Sequence, residues 1–255
     1  MPVAAPASSL VADDKRARLA ALKETLARKG LLVELPDAAP AGPPPLATGW
    51  PEVDALLGGG FPRRAITEVL GTVACGKTLL AASALGALTR AGSLAAWIDV
   101  SGEIHPPALA AAGVDLSRLL IVRPGSGDAT AALWAAEVLL QSGTFDAVVL
   151  DATSLAAPPR RALDRRAPVL RGAAEANGAA LVVLAADPFG LPCTLRLRVS
   201  PQPGARVHVV VEKTRAGTPG GATPARLPPH PAPPPVVPPP LLARAVKSRS
   251  PRRRR

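Results

Sequence analysis

The eight residues Gly71-Thr72-Val73-Ala74-Cys75-Gly76-Lys77-Thr78 run Gly, four residues, Gly-Lys-Thr, the spacing of a phosphate-cradling loop. In such a loop the backbone N–H groups from Gly71, Thr72, Val73, Ala74, Cys75 and Gly76 onward converge with a helix N-terminus on anionic oxygens. The Lys77 ammonium neutralises the β- and γ-phosphates of a nucleoside triphosphate, and the Thr78 hydroxyl ligates Mg²⁺. ATP and Mg are therefore the expected cofactors; the alternative is a glycine-rich turn before a helix, with no ligand. Magnesium in such a site also needs a carboxylate that holds it through water. Asp151 closes the apolar run Ala147 to Leu150 and suits that place. Asp99, closing Ala95 to Ile98, either stands beside the phosphates as well or caps the turn that follows. Cys75 has no evident chemical purpose within the loop.

These residues must be held by strands and helices. Apolar runs predict strands at 65–70, 94–99, 119–122, 146–151, 179–186, 193–199 and 206–212, with helical patterns between the first five. Ala147-Val148-Val149-Leu150 is continuously apolar, as in a strand covered on both faces. Leu195, Leu197 and Val199 instead alternate with Arg196 and Arg198, as at a sheet margin with one wetted face. The expected fold class is α/β: a mostly parallel sheet flanked by helices, with an antiparallel C-terminal extension. No internal repeat is present.

The chain has 255 residues and a net charge of +11, but residues 216–255 carry eight Lys or Arg and no acid, which leaves only +3 for the rest. That tail holds 12 of the 31 prolines and reads as a disordered, basic extension. Its two readings are a solubilising segment and a non-specific attraction to phosphates. Residues 1–12 read as a disordered N-terminus. Residues 13–35 read as an amphipathic helix, with Leu19, Leu22 and Leu26 at helical spacing and Gly30 as its stop, and a short strand; they form an element able to dock on its own domain or on another copy. Residues 36–47 are a proline-rich linker, and 48–215 form the core. Two cysteines, Cys75 and Cys193, exclude a disulfide framework. No apolar run reaches the length needed to cross a bilayer, and no export signal is evident, so a cytoplasmic protein is expected, with nucleoid association an option.

Read together, these stretches resemble the RecA family of recombinases and their paralogues over roughly residues 12–215. The resemblance is carried by Asp14 to Leu22 as an N-terminal helix, Gly58-Gly59-Gly60-Phe61-Pro62-Arg63 before the first strand, Trp97-Ile98-Asp99, and Gly113 to Leu120 followed by Pro124 and Gly127. It implies an ATP-binding core in which the N-terminal helix packs on an adjacent protomer. It also implies that Lys213 and Arg215 reach a neighbour's γ-phosphate in trans, the other reading being a solvated pair at a strand end.

The chain departs from that family at three places. Ser101 stands where the family has the glutamate that polarises water, so either Glu103 substitutes from a shifted turn or hydrolysis is weak or absent. The two DNA-gripping loops are shortened: 27 residues separate Asp151 from Ala179, and Pro188 to Pro192 lead straight into the next strand. Asp187 is the nearest equivalent of the family's polar ATP sensor. DNA contact, if any, would be ionic, through Arg160, Arg161, Arg165, Arg166 and Arg171 or the Arg-rich tail, against the alternative of a solvated basic face.

The trimmed core resembles the shortened RecA-like proteins of the ImuA and SulA type. The resemblance implies an ATP-binding accessory factor in DNA repair and damage-induced translesion synthesis, within the SOS response, that docks on RecA or on an error-prone polymerase complex. Two rivals stand beside it: a DNA-dependent ATPase and recombinase using Glu103, and a nucleotide-independent interaction module such as a SulA-like inhibitor of cell division.

Overall fold

The computed structural model describes residues 42–125, 128–155, 158, 160–214 and 221–227. The N-terminal helix and strand expected at 13–35, the first part of the linker, Gly127, Arg215 and the arginines that end the chain lie outside the described residues.

The sheet has eight strands: β1 (Ala65–Leu70), β2 (Ala95–Asp99), β3 (Leu119–Val122), β4 (Ala147–Asp151), β5 (Ala180–Ala185), β6 (Leu195–Gln202), β7 (Arg206–Lys213) and β8 (Ala222–Arg226). Their order across the sheet is β3-β2-β4-β5-β1-β6-β7-β8. The first six run parallel, and β7 and β8 add antiparallel. Every residue of β1 and β5 is buried, which is why β5 reads as a continuous apolar run, while β1 buries Thr67 and Glu68 among its apolar residues. β6 and β7 alternate buried with accessible positions, as their Leu-Arg and Val-polar patterns require.

Helices cover the sheet on two sides. On one face α1 (Pro51–Leu57), α2 (Lys77–Arg90) and α3 (Pro106–Ala111) bury residues such as Val53, Leu80, Leu85 and Leu109 against Val69, Trp97, Val149 and Val182. On the other face α4 (Ala129–Gln141) and α5 (Arg160–Asn177) bury Leu133, Leu140 and Leu170 against Ile66, Ile98, Leu150 and Val183. Asp128 starts α4 by accepting hydrogen bonds from the N–H groups of Thr130 and Ala131. No helix among the described residues is long and apolar enough to cross a membrane.

Two expectations need correction. Residues 221–227, read as part of a disordered tail, include β8, which pairs with β7 from Arg206↔Arg226 to Val210↔Ala222 and buries Ala225. The Gly- and Pro-rich flanks hid it, yet Pro224 is tolerable because an edge strand has one side free of ladder bonds. The end of the proposed linker is also structured: Leu46 is buried and exchanges 2.8 Å backbone hydrogen bonds with Phe61. An alanine- and proline-rich context masked that single apolar anchor.

Candidate functional site

β1 ends at Leu70 and the chain turns at once through Gly71 to Gly76 into α2. Two of these turns demand glycine. At Gly71 (φ 157°) a Cβ would lie 2.5 Å from Cys75 Sγ and 2.5 Å from the Val199 carbonyl. At Gly76 the backbone is left-handed (φ 97°), and a Cβ would crowd Val207 and Leu227 at 3.2 Å. The loop is thus wedged against β6, β7 and the residue after β8, and its shape depends on them. The first N–H groups of α2 have no intrahelical acceptor and open toward the same end of the sheet.

Lys77 is buried, and its Nζ donates to the carbonyls of Gly71 (3.0 Å) and Thr72 (2.9 Å). Those two bonds fix the ammonium at the mouth of the loop. Thr78, one residue on, is exposed.

The carboxyl ends of β2 and β4 complete a cleft of about 400 Å³. Val73, Ala74, Lys77 and Thr78 form its loop side; Ser101, Glu103 and Ile104 enter from beyond β2, and Asp151, Thr153 and Ser154 from β4. A ligand cleft at the carboxyl ends of parallel strands is the expected place in such a sheet. Asp151 is half-buried and its Oδ1 accepts from the Thr153 N–H at 3.1 Å. The Thr153 hydroxyl is buried with no protein partner, an orphaned polar atom in a residue that lines the cleft. A fixed ammonium, an exposed hydroxyl, a half-buried carboxylate and free helix N–H groups suit a triphosphate with a hard divalent cation: Lys77 and the loop amides for phosphate, Thr78 and Asp151 for Mg²⁺.

Asp99 does not line this cleft. It is fully buried, its Oδ2 accepting from the Ile104 N–H (3.3 Å) and from Arg123 Nε (2.9 Å), while Arg123 Nη2 also donates to the Ile104 carbonyl (3.2 Å). Of its two readings the geometry selects the turn. Asp99 and Arg123 hold the Ser101–Ile104 segment that forms one wall of the cleft. Ser101 Oγ accepts from the Glu103 N–H at 3.4 Å, so both residues weighed for water activation sit on that wall.

The other sequence-derived residues are scattered. Lys213 is exposed at the end of β7, opposite Arg196, and is absent from the cleft lining. Asp187 is exposed beyond β5 and is likewise not among the lining residues. Arg160 opens α5. Arg161, Arg165 and Arg166 border a separate groove against α4, with Arg166 already paired to Glu137. Arg171 sits 4.0 Å from Glu175 and borders a third depression. Arg123 and Thr153 escaped the sequence reading: an arginine after a short edge strand and a threonine in a turn carry no motif.

Behind the loop, fully buried Glu68 of β1 pairs with Arg196 Nε of β6 at 2.7 Å, and the Cys193 thiol lies 3.6 Å from the same carboxylate oxygen. Burial, and then the adjacent Glu68 charge, push the Cys193 thiol up and keep it protonated.

The model of the RecA N-terminal domain family matches residues 20–166, more than half of the chain and all of the loop and the β2 and β4 ends. The chain belongs to the RecA N-terminal domain family. Within the RecA family it is 36% identical to protein RecA of Picosynechococcus sp. over 130 residues, covering 51% of this chain and 37% of that protein. It is 39% identical to protein RecA of Rubrobacter xylanophilus over 131 residues, covering 51% and 38%. The aligned part thus spans less than two fifths of the length of these curated RecA proteins. In fold, this RecA-family chain is similar to the RadB recombinase, whose crystal structure superposes with a TM-score of 0.61 at 24% identity, covering 72% of this chain and 96% of that one.

Proposed function

We propose that this chain is an ATP- and Mg²⁺-binding accessory protein in DNA repair and damage-induced translesion synthesis, of the ImuA type, that hydrolyses ATP weakly or not at all. One observation carries the reading. Lys77, Thr78 and Asp151, which bind phosphate and metal in this reading, share a cleft whose water-facing wall has Ser101 in place of the family's glutamate. A serine hydroxyl has no usable basicity near neutral pH, so nucleotide binding and turnover are separable here. When bound, ATP with its magnesium would supply the anionic ligand that Lys77, the loop N–H groups, Thr78 and Asp151 are placed to hold. The chain's own residues then hold and orient that ligand. The partner is RecA or an error-prone polymerase complex, with binding gated by nucleotide.

A second reading has its own observation. Glu103 borders the same cleft and is exposed, so a DNA-dependent ATPase and recombinase using Glu103 is the alternative. Lys213, away from its own cleft, would then serve another copy's phosphates.

The test is ATP affinity and turnover of the full chain, with and without single-stranded DNA, beside Lys77→Ala. Binding lost in Lys77→Ala, without DNA-stimulated turnover in the wild type, supports the accessory reading. Stimulated turnover that disappears in both Lys77→Ala and Glu103→Gln establishes the recombinase reading instead. ATP binding unaffected by Lys77→Ala removes the loop from the account.

A further inference from the structure

The groove between α4 and α5 lies outside the nucleotide cleft and has an unusual lining. Trp134 on α4 is 57% exposed, whereas Trp50 and Trp97 are buried to 1% and 0%. Beside it Val169 of α5 is exposed as well, and Val138 extends the apolar strip one turn along α4. A cavity of about 580 Å³ opens here. Its only acid among the described residues is Glu137, which Arg166 neutralises in an ion pair that also ties the two helices together. Arg161 and Arg165 are exposed, stand one helical turn apart on the groove's α5 side, and have no hydrogen-bond or ion-pair partner among the described residues.

An indole flanked by valines and by two unpaired guanidinium groups asks for a ligand that is apolar along one line and anionic beside it. Tryptophan and arginine are the residues over-represented where partners dock. We propose that this groove receives an acidic amphipathic helix from another protein, with leucine-like side chains on Trp134 and Val169 and carboxylates on Arg161 and Arg165.

Charge decides against an occupant from this chain. The amphipathic segment 13–29 carries six Lys or Arg against three Asp or Glu, and residues 216–255 carry eight basic residues and no acid. Both are repelled by the groove arginines. A single-stranded nucleic acid fits less well. One indole is no platform for successive bases, and a phosphodiester chain offers nothing aliphatic to cover the valines. The inference is independent of whether the chain binds ATP, since none of these residues touches the cleft.

The test uses the full chain at low salt and the emission of its tryptophans, of which only Trp134 is open to a ligand. The probes are a synthetic helix of about five turns with leucines at three- and four-residue spacing and glutamates elsewhere, the same peptide with lysines for glutamates, and oligothymidylate. The glutamate peptide is expected to shift Trp134 emission to the blue and to be weakened by salt. Arg161→Glu/Arg165→Glu is expected to weaken it roughly tenfold or more and to admit the lysine peptide instead, a switch that a misfolded chain cannot show. No shift with the glutamate peptide at millimolar concentration overturns the proposal, as does equal binding of both peptides. A shift with oligothymidylate alone makes the groove a nucleic-acid site, and a concentration-dependent shift without any probe makes it a contact between copies; either also overturns it.

Discussion

Asp99 and Arg123 form a 2.9 Å ion pair in which the carboxylate is fully buried and the guanidinium remains half open to solvent. The same arginine reaches the Ile104 carbonyl, and the same carboxylate accepts the Ile104 N–H. One pair of side chains therefore closes the Asp99–Ile104 turn at both backbone groups of Ile104 and sets the wall on which Ser101 and Glu103 sit. Arg123→Ala leaves Asp99 buried with only a backbone donor. Breaking a fully buried pair costs more, but the exposed side of Arg123 screens this one, so a loss of about 2 kcal/mol is expected. Urea unfolding measures it. Arg123→Lys keeps the charge but not the forked geometry and is expected to recover only part of the loss; an unchanged midpoint in Arg123→Ala would show the pair to be idle.

Ser101 and Glu103 divide the two readings of the cleft. Ser101→Glu places a carboxylate where the family has its water-polarising group and is expected to raise ATP turnover roughly a hundredfold or more, the usual range for general-base catalysis. Glu103→Gln is expected to leave turnover as it is. Phosphate release by both variants, at saturating ATP, is the readout, and the opposite pattern assigns the base to Glu103.

Gly71 has no room for a methyl group between Cys75 Sγ and the Val199 carbonyl. Gly71→Ala must displace β6 or the loop, at a cost of about 2 kcal/mol. The loop it distorts is the one that anchors Lys77, so the stabilisation that ATP confers on thermal unfolding is expected to vanish while the variant still folds. A full ATP-dependent rise in Tm would mean that the loop tolerates the change.

Glu68 and Arg196 form a second pair with a fully buried carboxylate, 2.7 Å apart between β1 and β6. Arg196→Ala strands a buried carboxylate whose second oxygen already lacks a partner, and a loss of about 3 kcal/mol is expected. The double change Glu68→Met/Arg196→Met removes both charges and should be close to neutral. A double-mutant cycle in denaturant separates the two; equal losses in the single and the double variant would argue against a charge-driven effect.

Asp115 is half-buried, and its side chain accepts from the hydroxyl and then the N–H of Ser117, which hold its carboxyl below the usual carboxylate range. The folded pKa is the lower one, so the stabilisation is complete above the unfolded value and disappears as pH falls through the folded value. Asp115→Asn should therefore flatten part of the acid limb of a plot of Tm against pH and leave the profile near neutrality nearly parallel to that of the wild type. Identical acid limbs would refute this.

Much of the architecture was legible because local rules dictate it. Continuous apolar runs mark strands covered on both faces, the helical pattern expected between the fourth and fifth strands is α5, and the Gly-Lys-Thr loop sits between a strand and a helix as its motif implies. The same locality hid β8: Ala222 to Arg226 has no apolar periodicity, and it becomes a strand because β7 offers it a row of backbone partners and a place to bury Ala225. Leu46 was hidden in the same way by its proline-rich neighbours.

The sequence by itself determined which chemical groups are available: an ammonium, a hydroxyl and a carboxylate at set distances along the chain, and a serine in place of a glutamate. Their convergence depended on the register that sets Asp99 beside Asp151 across β2 and β4. Arg123 and the Ile104 N–H, brought to Asp99 from beyond β3 and β2, then decide that Asp99 is spent on a turn while Asp151 borders the cleft. Among the arginines read as a basic face, Arg166 was likewise claimed by tertiary structure, going to Glu137 of α4. The physical reason is common to both: a residue's type and spacing record what it can bond to, whereas burial and neighbours from distant parts of the chain settle what it does bond to.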